Sequence, residues 1–152
     1  MSIHSGSRGR KARVCALQML YQWEMSREAP ERVKEIYWKQ VNAKSPQREL
    51  ANRLFDAATA EARELDALIR AHTLNWRVER LAAVDRNLLR LAITELRHHP
   101  ESPGPVVINE TLEIAKIFSG EESAEFLNGV LDSVWKELVG AQRAVPGGGA
   151  NA

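Results

Sequence analysis

The chain has 152 residues, a formal net charge of +1, 44% hydrophobic residues and 27% charged residues. This composition excludes disordered, fibrous and membrane-embedded proteins, and the length allows one domain that buries roughly two-thirds of its unfolded surface. The single cysteine, Cys15, excludes an internal disulfide, and four scattered histidines offer no zinc-ligand spacing. We therefore expect one cytoplasmic domain with Cys15 as a buried thiol and with no metal, cofactor or membrane association.

The first half of the chain is predicted to be helical. It contains no glycine between Gly9 and Gly104 and is rich in residues that favour helices. Apolar residues at spacings of three and four predict a first helix that ends near Met25 and a shorter second helix that begins at Pro30. Ser45, followed by a proline, predicts the N-cap of one long third helix. The apolar face of that helix comprises Ala51, Leu54, Phe55, Ala58, Ala62, Leu65 and Ile69.

Four helical segments are predicted in the second half. A short turn from Asn75 leads into an apolar central helix over residues 83–97, and two further helices cover residues 106–118 and 123–138. The fold class is therefore all-α, with about seven helices, three N-terminal and four C-terminal.

One domain is predicted over residues 1–140, and its residues 1–13 form a basic arm. Residues 141–152 are rich in Gly and Ala and almost uncharged, which is typical of a disordered tail.

Positive charge is concentrated at the start of the chain. Four basic residues precede the first acidic residue, Glu24, whereas residues 105–139 contain seven acidic and two basic residues. The near-neutral total therefore predicts two opposed surfaces, one basic and one acidic, for two unlike partners. The four N-terminal basic residues are Arg8, Arg10, Lys11 and Arg13.

Basic residues at a helix start oppose the helix macrodipole, which suggests that these four bind an anion. If they neutralised four phosphates of a single strand, affinity would fall roughly fifty-fold between 50 and 200 mM salt. A short exposed N-terminus that happens to be basic explains the same residues equally well. Composition leaves both interpretations open.

A second basic stripe lies on the central helix. Arg86, Arg90 and Arg97 recur at spacings of four and seven, which places them on one helix face. Pairing with acids inside the protein is the alternative, and we favour it for Arg90. Arg86 fits RNA binding or internal pairing, and the acids considered as partners are Glu79, Asp85 and Glu95.

Phe126 and the Asn128–Gly129 pair form a third feature. Phe126 could stack on a base, although its helical spacing favours the core. A glycine inside a helix costs about 1 kcal/mol relative to alanine, so Gly129 suggests a close backbone approach. None of the nucleotide-binding, hydrolase or zinc-protease motifs occurs, so we predict that the chain is not an enzyme.

Four segments in order resemble the NusB family of bacterial transcription antitermination factors. They are RGRKARVCALQMLYQW (residues 8–23), VDRNLLRLAITEL (84–96), PVVINETLEIAK (105–116) and SAEFLNGVLD (123–132). The resemblance covers residues 8–138 and implies two small packed helical bundles. It also implies binding of the boxA element of ribosomal RNA leader transcripts together with NusE, a small-subunit ribosomal protein, in a complex with NusA, NusG and RNA polymerase.

The resemblance also implies roles for individual residues. Arg10, Lys11 and Arg13 match family positions that contact RNA, and Tyr21 belongs to a family motif. Asp85 matches a functional acidic position, and Glu122 falls near the RNA and partner surfaces. We therefore assign Asp85 and Glu122 to partner binding. We assign to RNA Arg8, Arg10, Lys11, Arg13, Tyr21, Arg86, Phe126 and Asn128.

The sequence is also compatible with two other functions. A NusB-like module is also found fused to ribosomal RNA cytosine methyltransferases, and this chain could be a detached module of that kind. It could also be a helical protein-interaction adaptor without an RNA role. A homodimer that covers the basic first helix would compete with RNA.

Overall fold

The computed structural model describes residues 6–73 and 77–144, and side chains are described for residues 9–73 and 77–141. Within these ranges the chain forms seven α-helices and one 3₁₀ turn over Val78–Arg80. The helices are α1 (Gly6–Ser26), α2 (Pro30–Gln40), α3 (Ser45–Ala60), α4 (Ala62–Ala71), α5 (Ala83–His98), α6 (Gly104–Phe118) and α7 (Glu121–Ala144). The prediction of an all-α chain with about seven helices is confirmed.

Helix α5 is the centre of the fold, as its apolar composition predicts. Every residue from Asp85 to Glu95 is buried, and α5 packs against α1, α3, α4, α6 and α7. A helix that is apolar around most of its circumference buries that surface only when other helices surround it. Helices α1, α2 and α3 also contact one another, and α6 packs along α7.

The burial of the cysteine and the apolarity of the helices agree with the sequence analysis. Cys15 is a buried free thiol, as predicted. Among the helices that the structure describes, none is long and apolar enough to cross a bilayer.

The prediction of one long third helix is wrong, because the chain bends at Glu61 and forms two helices, α3 and α4. Glu61 has φ −111° and ψ 19°, which ends one helix and begins the next. Its carboxylate accepts a hydrogen bond from His98 and lies 3.3 Å from Arg97 Nη1, both at the end of α5. Apolar spacing continues across Glu61, so the pattern does not reveal a bend that is stabilised by contacts with α5.

Two predicted boundaries also differ from the structure, and a third is not described. The N-cap of α3 is Lys44 rather than Ser45, and the Ser45 hydroxyl instead donates to Glu49. Asn75, where a short turn was predicted to begin, lies outside the described residues. Helix α7 continues to Ala144, beyond residue 140, where the domain was predicted to end.

Glycine is required at both ends of α6. At the start of the helix, a Cβ on Gly104 would lie 2.4 Å from the Trp135 indole, so the α6–α7 packing needs a residue without a side chain. After the end of the helix, Gly120 has φ +111° and its N–H donates to the Ala115 carbonyl at 2.9 Å. This φ is strained for residues with a side chain.

Gly120→Ala is expected to lower the free energy of unfolding by about 1–3 kcal/mol, because alanine is strained at this φ. Urea denaturation followed by circular dichroism measures the change. Gly129→Ala is the matched control, since Gly129 lies within α7 and nothing stands within 4 Å of its Cβ position. The control should stabilise the protein by up to about 1 kcal/mol. Equal stability of the Gly120→Ala variant and the wild type would show that the connection relaxes without cost.

Candidate nucleic-acid interface

The basic residues at the start of the chain lie within α1, and they differ in accessibility. Lys11 is exposed and forms no ion pair among the described residues. The Arg10 side chain is 37% exposed. The Arg8 backbone is part of α1, but its side chain lies outside the described residues. We define Arg10 and Lys11 as the basic start of α1.

Arg13 is buried rather than available to RNA. Its Nε and Nη2 donate to the two carboxylate oxygens of Glu95 at 2.9 and 2.6 Å, and both side chains are at most 4% exposed. Its Nη1 is also buried, without a partner among the described residues. The structure therefore argues against direct RNA contact by Arg13 and shows an ion pair that joins α1 to α5.

The basic and acidic segments of the chain adjoin one another at Arg10, so the expected separation of two opposed surfaces does not hold at this point. Arg10 Nε and Nη2 donate to Glu110 Oε1 and Oε2, both at 3.1 Å, and this pair joins α1 to the acidic segment at α6. The anions that the helix macrodipole argument predicts for Arg10 and Arg13 are therefore supplied by carboxylates of the protein itself. Among the described side chains of the cluster, that of Lys11 is the one that is exposed and has no ion pair.

The arginines of α5 also pair within the protein. Arg86 is buried, and it donates to the Glu24 carboxylate at 2.7 Å and to the carbonyls of Val78 and Leu81. Arg90 forms a bidentate ion pair with Asp66, in which Nε and Nη2 donate to Oδ1 and Oδ2 at 2.8 Å each. The prediction of internal pairing for Arg90 is thus supported, with a different acid from those considered.

For Arg86, the structure argues against direct RNA contact. Its partners are Glu24 of α1, Val78 of the 3₁₀ turn and Leu81 just after that turn. The Arg86 guanidinium therefore links α1 and the 3₁₀ turn to α5. Arg97 is likewise paired, with Glu61 and Glu64. The spacing of the three arginines places them together, but spacing does not reveal the acids that face them from α1, from α4 and from Glu61 between α3 and α4.

A pocket between α5 and α7 brings together the predicted acidic and aromatic site residues. It has a volume of about 310 Å³ and is lined by Arg80, Leu81, Ala82, Asp85, Glu122, Ser123 and Phe126. The Ser123 hydroxyl donates to Asp85 Oδ2 at 3.1 Å, which joins the starts of α5 and α7. Asp85 Oδ1 is buried and has no partner among the described residues. We call this cavity the acidic pocket.

The Phe126 ring lies at the boundary between the core and the acidic pocket. Phe126 is partly buried and packs against the core, and it also forms part of the pocket wall. The ring therefore contributes to the fold and still presents surface to a ligand.

Asn128 lies in a different cavity, a groove between α6 and α7. This groove has a volume of about 360 Å³ and is lined by Pro105, Ile108, Asn109, Leu112, Asn128, Asp132 and Trp135. Asn109 and Asn128 are exposed, and Trp135 is half-buried. We call it the amide groove, because its two amides can both donate and accept hydrogen bonds.

No other helix approaches Gly129 closely among the described residues. Nothing stands within 4 Å of the position that a Cβ would take, and the residue is exposed. A close approach within the fold, which a glycine at this place suggests, is therefore absent for this described residue.

A third cavity, larger than the acidic pocket and the amide groove, was not predicted from the sequence. It lies between α1 and α2, has a volume of about 530 Å³, and is lined by Leu17, Gln18, Tyr21, Gln22, Tyr37, Gln40, Val41, Val84 and Phe118. Tyr21 and Phe118 are each 46% exposed. Exposed aromatic residues around an uncharged groove are typical of interaction surfaces. One feature of the sequence could have indicated this surface. At the end of α6, Ile117 and Phe118 are two large apolar residues that lie outside the buried face of the helix. We call this cavity the apolar groove.

Partly buried hydrogen bonds shape the apolar groove. The Tyr37 hydroxyl donates to Gln18 Oε1 at 2.5 Å, linking α2 to α1. Burial raises the pKa of Tyr37 above its ordinary value, which extends to higher pH the range in which the hydroxyl can donate. Trp38 similarly donates to Asn52 of α3 at 2.8 Å. These bonds hold α2 in place as one wall of the groove.

Comparison with known proteins connects this architecture to a family. The NusB family model matches residues 10–136. The chain belongs to the NusB family. A transcription antitermination protein NusB from Koribacter versatilis is 48% identical over 139 residues, which covers 91% of this chain and 94% of that protein.

Solved NusB structures have the same fold. T. maritima NusB superposes with a TM-score of 0.77 at 34% identity, covering 84% of this chain and 90% of that one. The antitermination factors NusB and NusE in complex with double-stranded RNA include a chain that superposes with a TM-score of 0.76 at 29% identity, covering 84% of this chain and 96% of that one. Membership of the NusB family confirms that the protein is an antitermination factor and not an enzyme.

Proposed function

We propose that this NusB-family protein binds the boxA element of ribosomal RNA leader transcripts jointly with NusE, and that the pair acts in the cytoplasm with NusA, NusG and RNA polymerase. The observation that carries this proposal is the exposure of Arg10 and Lys11 at the start of α1. A solved chain with the same fold occurs in a complex of NusB and NusE with double-stranded RNA, which supports the same pair of partners.

The proposed RNA path runs from the basic start of α1 across α6 to α7. Arg10 is bonded to Glu110 of α6, and the preceding residue, Asn109, lines the amide groove together with Asn128 and Trp135. Cationic side chains bind phosphates, amides can bond to the edges of unpaired bases, and an indole can stack on them. This order of groups suits a single strand laid across the two helices.

The apolar groove is the proposed site for NusE. Its lining includes no charged side chain, whereas RNA binding depends on cations that neutralise phosphates. The groove therefore favours a protein, and we reassign Tyr21 from RNA to the protein partner. Its exposed rings supply the large apolar contacts from which interface hot spots are built.

The acidic pocket is proposed to lie where the RNA and NusE surfaces meet. Phe126 offers a stacking surface to a base, while Asp85 and Glu122 place two carboxylates beside it. Asp85 Oδ1 lacks a donor among the described residues, so a donor group from the partner would satisfy it. This arrangement is compatible with RNA contact at Phe126 and partner contact at the two acids.

The test is a titration of the protein with a boxA RNA oligonucleotide between 50 and 200 mM salt, with and without NusE. We expect tighter binding to boxA than to a scrambled RNA, and tighter binding when NusE is present. Equal affinity for the two RNAs, or no enhancement by NusE, contradicts the proposal. Sedimentation of the protein alone and with RNA shows in the same samples whether a homodimer dissociates when RNA binds.

A substitution in the apolar groove tests the proposed NusE site. Tyr21→Ala combined with Phe118→Ala should weaken NusE binding at least tenfold, because truncating two aromatic hot-spot residues removes on the order of 2 kcal/mol or more. Ile117→Ala is the control, since Ile117 is 67% exposed and does not line the groove. Calorimetric titration with NusE measures both variants. An equal effect of the control, or loss of RNA binding with NusE binding intact, contradicts the assignment.

A further inference from the structure

The phosphate-binding edge of Arg10 is already occupied. A guanidinium binds a phosphate best through two parallel N–H groups, and it binds a carboxylate in the same way. In this structure Arg10 Nε and Nη2 both donate to Glu110, at 3.1 Å each. Glu110 therefore takes the place that a phosphate would take on that edge of the arginine.

Glu110 cannot move away from Arg10 at low cost. Its side chain is 9% exposed on the inner side of α6, and Arg10 is the cation that contacts it among the described residues. Separating the pair would leave a largely buried carboxylate without its counter-charge, which is strongly unfavourable. A phosphate at Arg10 therefore has to use the outer N–H groups of Nη1 and Nη2 while the Glu110 charge stays behind them.

We propose that Glu110 is an affinity-setting residue that competes with RNA phosphate for Arg10. The inference rests on the proposed RNA-binding function. Glu110 reduces the effective positive charge of the basic start of α1, so Lys11 alone acts at full charge. The protein alone then binds RNA less tightly than its number of basic residues implies. A larger share of the affinity of the joint complex for RNA therefore depends on NusE.

Glu110→Gln is the variant that tests this proposal. Glutamine has the same shape and can still accept one N–H from Arg10, but it removes the negative charge. We expect single-stranded RNA to bind roughly three- to tenfold more tightly at 50 mM salt, with a gain that shrinks towards 200 mM as charges are screened. Fluorescence anisotropy with boxA RNA and with an oligouridylate of the same length measures the affinities.

Two further variants separate this effect from other causes. Glu113→Gln removes the same charge from the same helix, but Glu113 is exposed and pairs with Lys116 instead of Arg10. It should change RNA affinity less than twofold. In an Arg10→Ala background, Glu110→Gln should also have less than a twofold effect, because the arginine for which the two anions compete is gone. Thermal denaturation confirms that each variant is folded.

The outcomes distinguish this inference from the proposed function. Weaker RNA binding by folded Glu110→Gln, or an equal gain in Glu113→Gln, overturns the inference. If boxA and oligouridylate bind equally but Glu110→Gln still gains affinity for both, the boxA assignment is wrong and the role of Glu110 stands. If neither RNA binds to the wild type or to Glu110→Gln at 50 mM salt, both proposals are wrong.

Discussion

Replacing Arg10 and Lys11 together with alanine is expected to weaken RNA binding on the order of a hundredfold at 50 mM salt. Among the described side chains at the start of α1, these are the two basic ones that are partly or fully accessible. Each charge-assisted hydrogen bond to a phosphate contributes roughly 1.5–3 kcal/mol, so losing two removes most of the electrostatic affinity. Each phosphate contact to a single strand adds about 0.7 to the salt slope. Because Glu110 offsets part of the Arg10 charge, the slope should decrease by between about 0.7 and 1.4.

A matched control uses two other exposed arginines. Arg53 of α3 and Arg63 of α4 are exposed and form no ion pair among the described residues, and replacing both with alanine removes the same total charge. The control should lower RNA affinity less than threefold, because neither residue lies on the proposed RNA path. Equal losses in the two double variants would show that net charge, and not a defined RNA site, governs binding. The affinities and salt slopes come from anisotropy titrations at several salt concentrations.

Arg13→Ala is expected to lower the free energy of unfolding by about 3–5 kcal/mol, which is a large part of the stability of a domain this size. The substitution leaves the Glu95 carboxylate buried at 2% exposure without the guanidinium that it accepts two hydrogen bonds from. Glu95→Ala should have a similar effect, since it leaves the buried guanidinium unpaired. Urea denaturation of the two variants measures the loss.

The double variant Arg13→Leu with Glu95→Leu separates charge burial from packing. Replacing a buried ion pair with apolar side chains of similar size is often neutral or stabilising, so the double variant should recover most of the stability that either single variant loses. The same protein also tests the role of Arg13 in RNA binding. If the double variant is stable but binds RNA at least tenfold more weakly, Arg13 contacts RNA and its assignment as an internal group is wrong.

Helix positions were predictable from this sequence because the signals are local. Apolar spacing, the long glycine-free stretch and the prolines in the first turns of α2, α3 and α6 act within a few residues. They therefore locate the helices without knowledge of the fold. The exception is the break at Glu61. There the spacing is continuous, and the bend is accompanied by contacts with Arg97 and His98, more than 30 residues away.

The candidate site was predictable in its residue types but not in their accessibility. The sequence identifies a basic cluster at the start of α1, and the family resemblance assigns it to RNA. Four arginines of similar appearance then differ in the structure: Arg10 is partly exposed, whereas Arg13, Arg86 and Arg90 are buried in internal pairs. Their acidic partners are 24 to 100 residues away in the chain, beyond the reach of any local pattern.

The net charge of +1 is the sum of a basic and an acidic segment, and its meaning depends on both the sequence and the fold. The sequence alone determines that the protein is helical, that its positive charge is concentrated before Glu24 and that residues 105–139 are acidic. Only the tertiary structure decides that these two segments meet, through Arg10 and Glu110. The physical reason is that charge is a property of each residue, whereas the strength with which a charge acts on a ligand depends on which groups the fold places beside it.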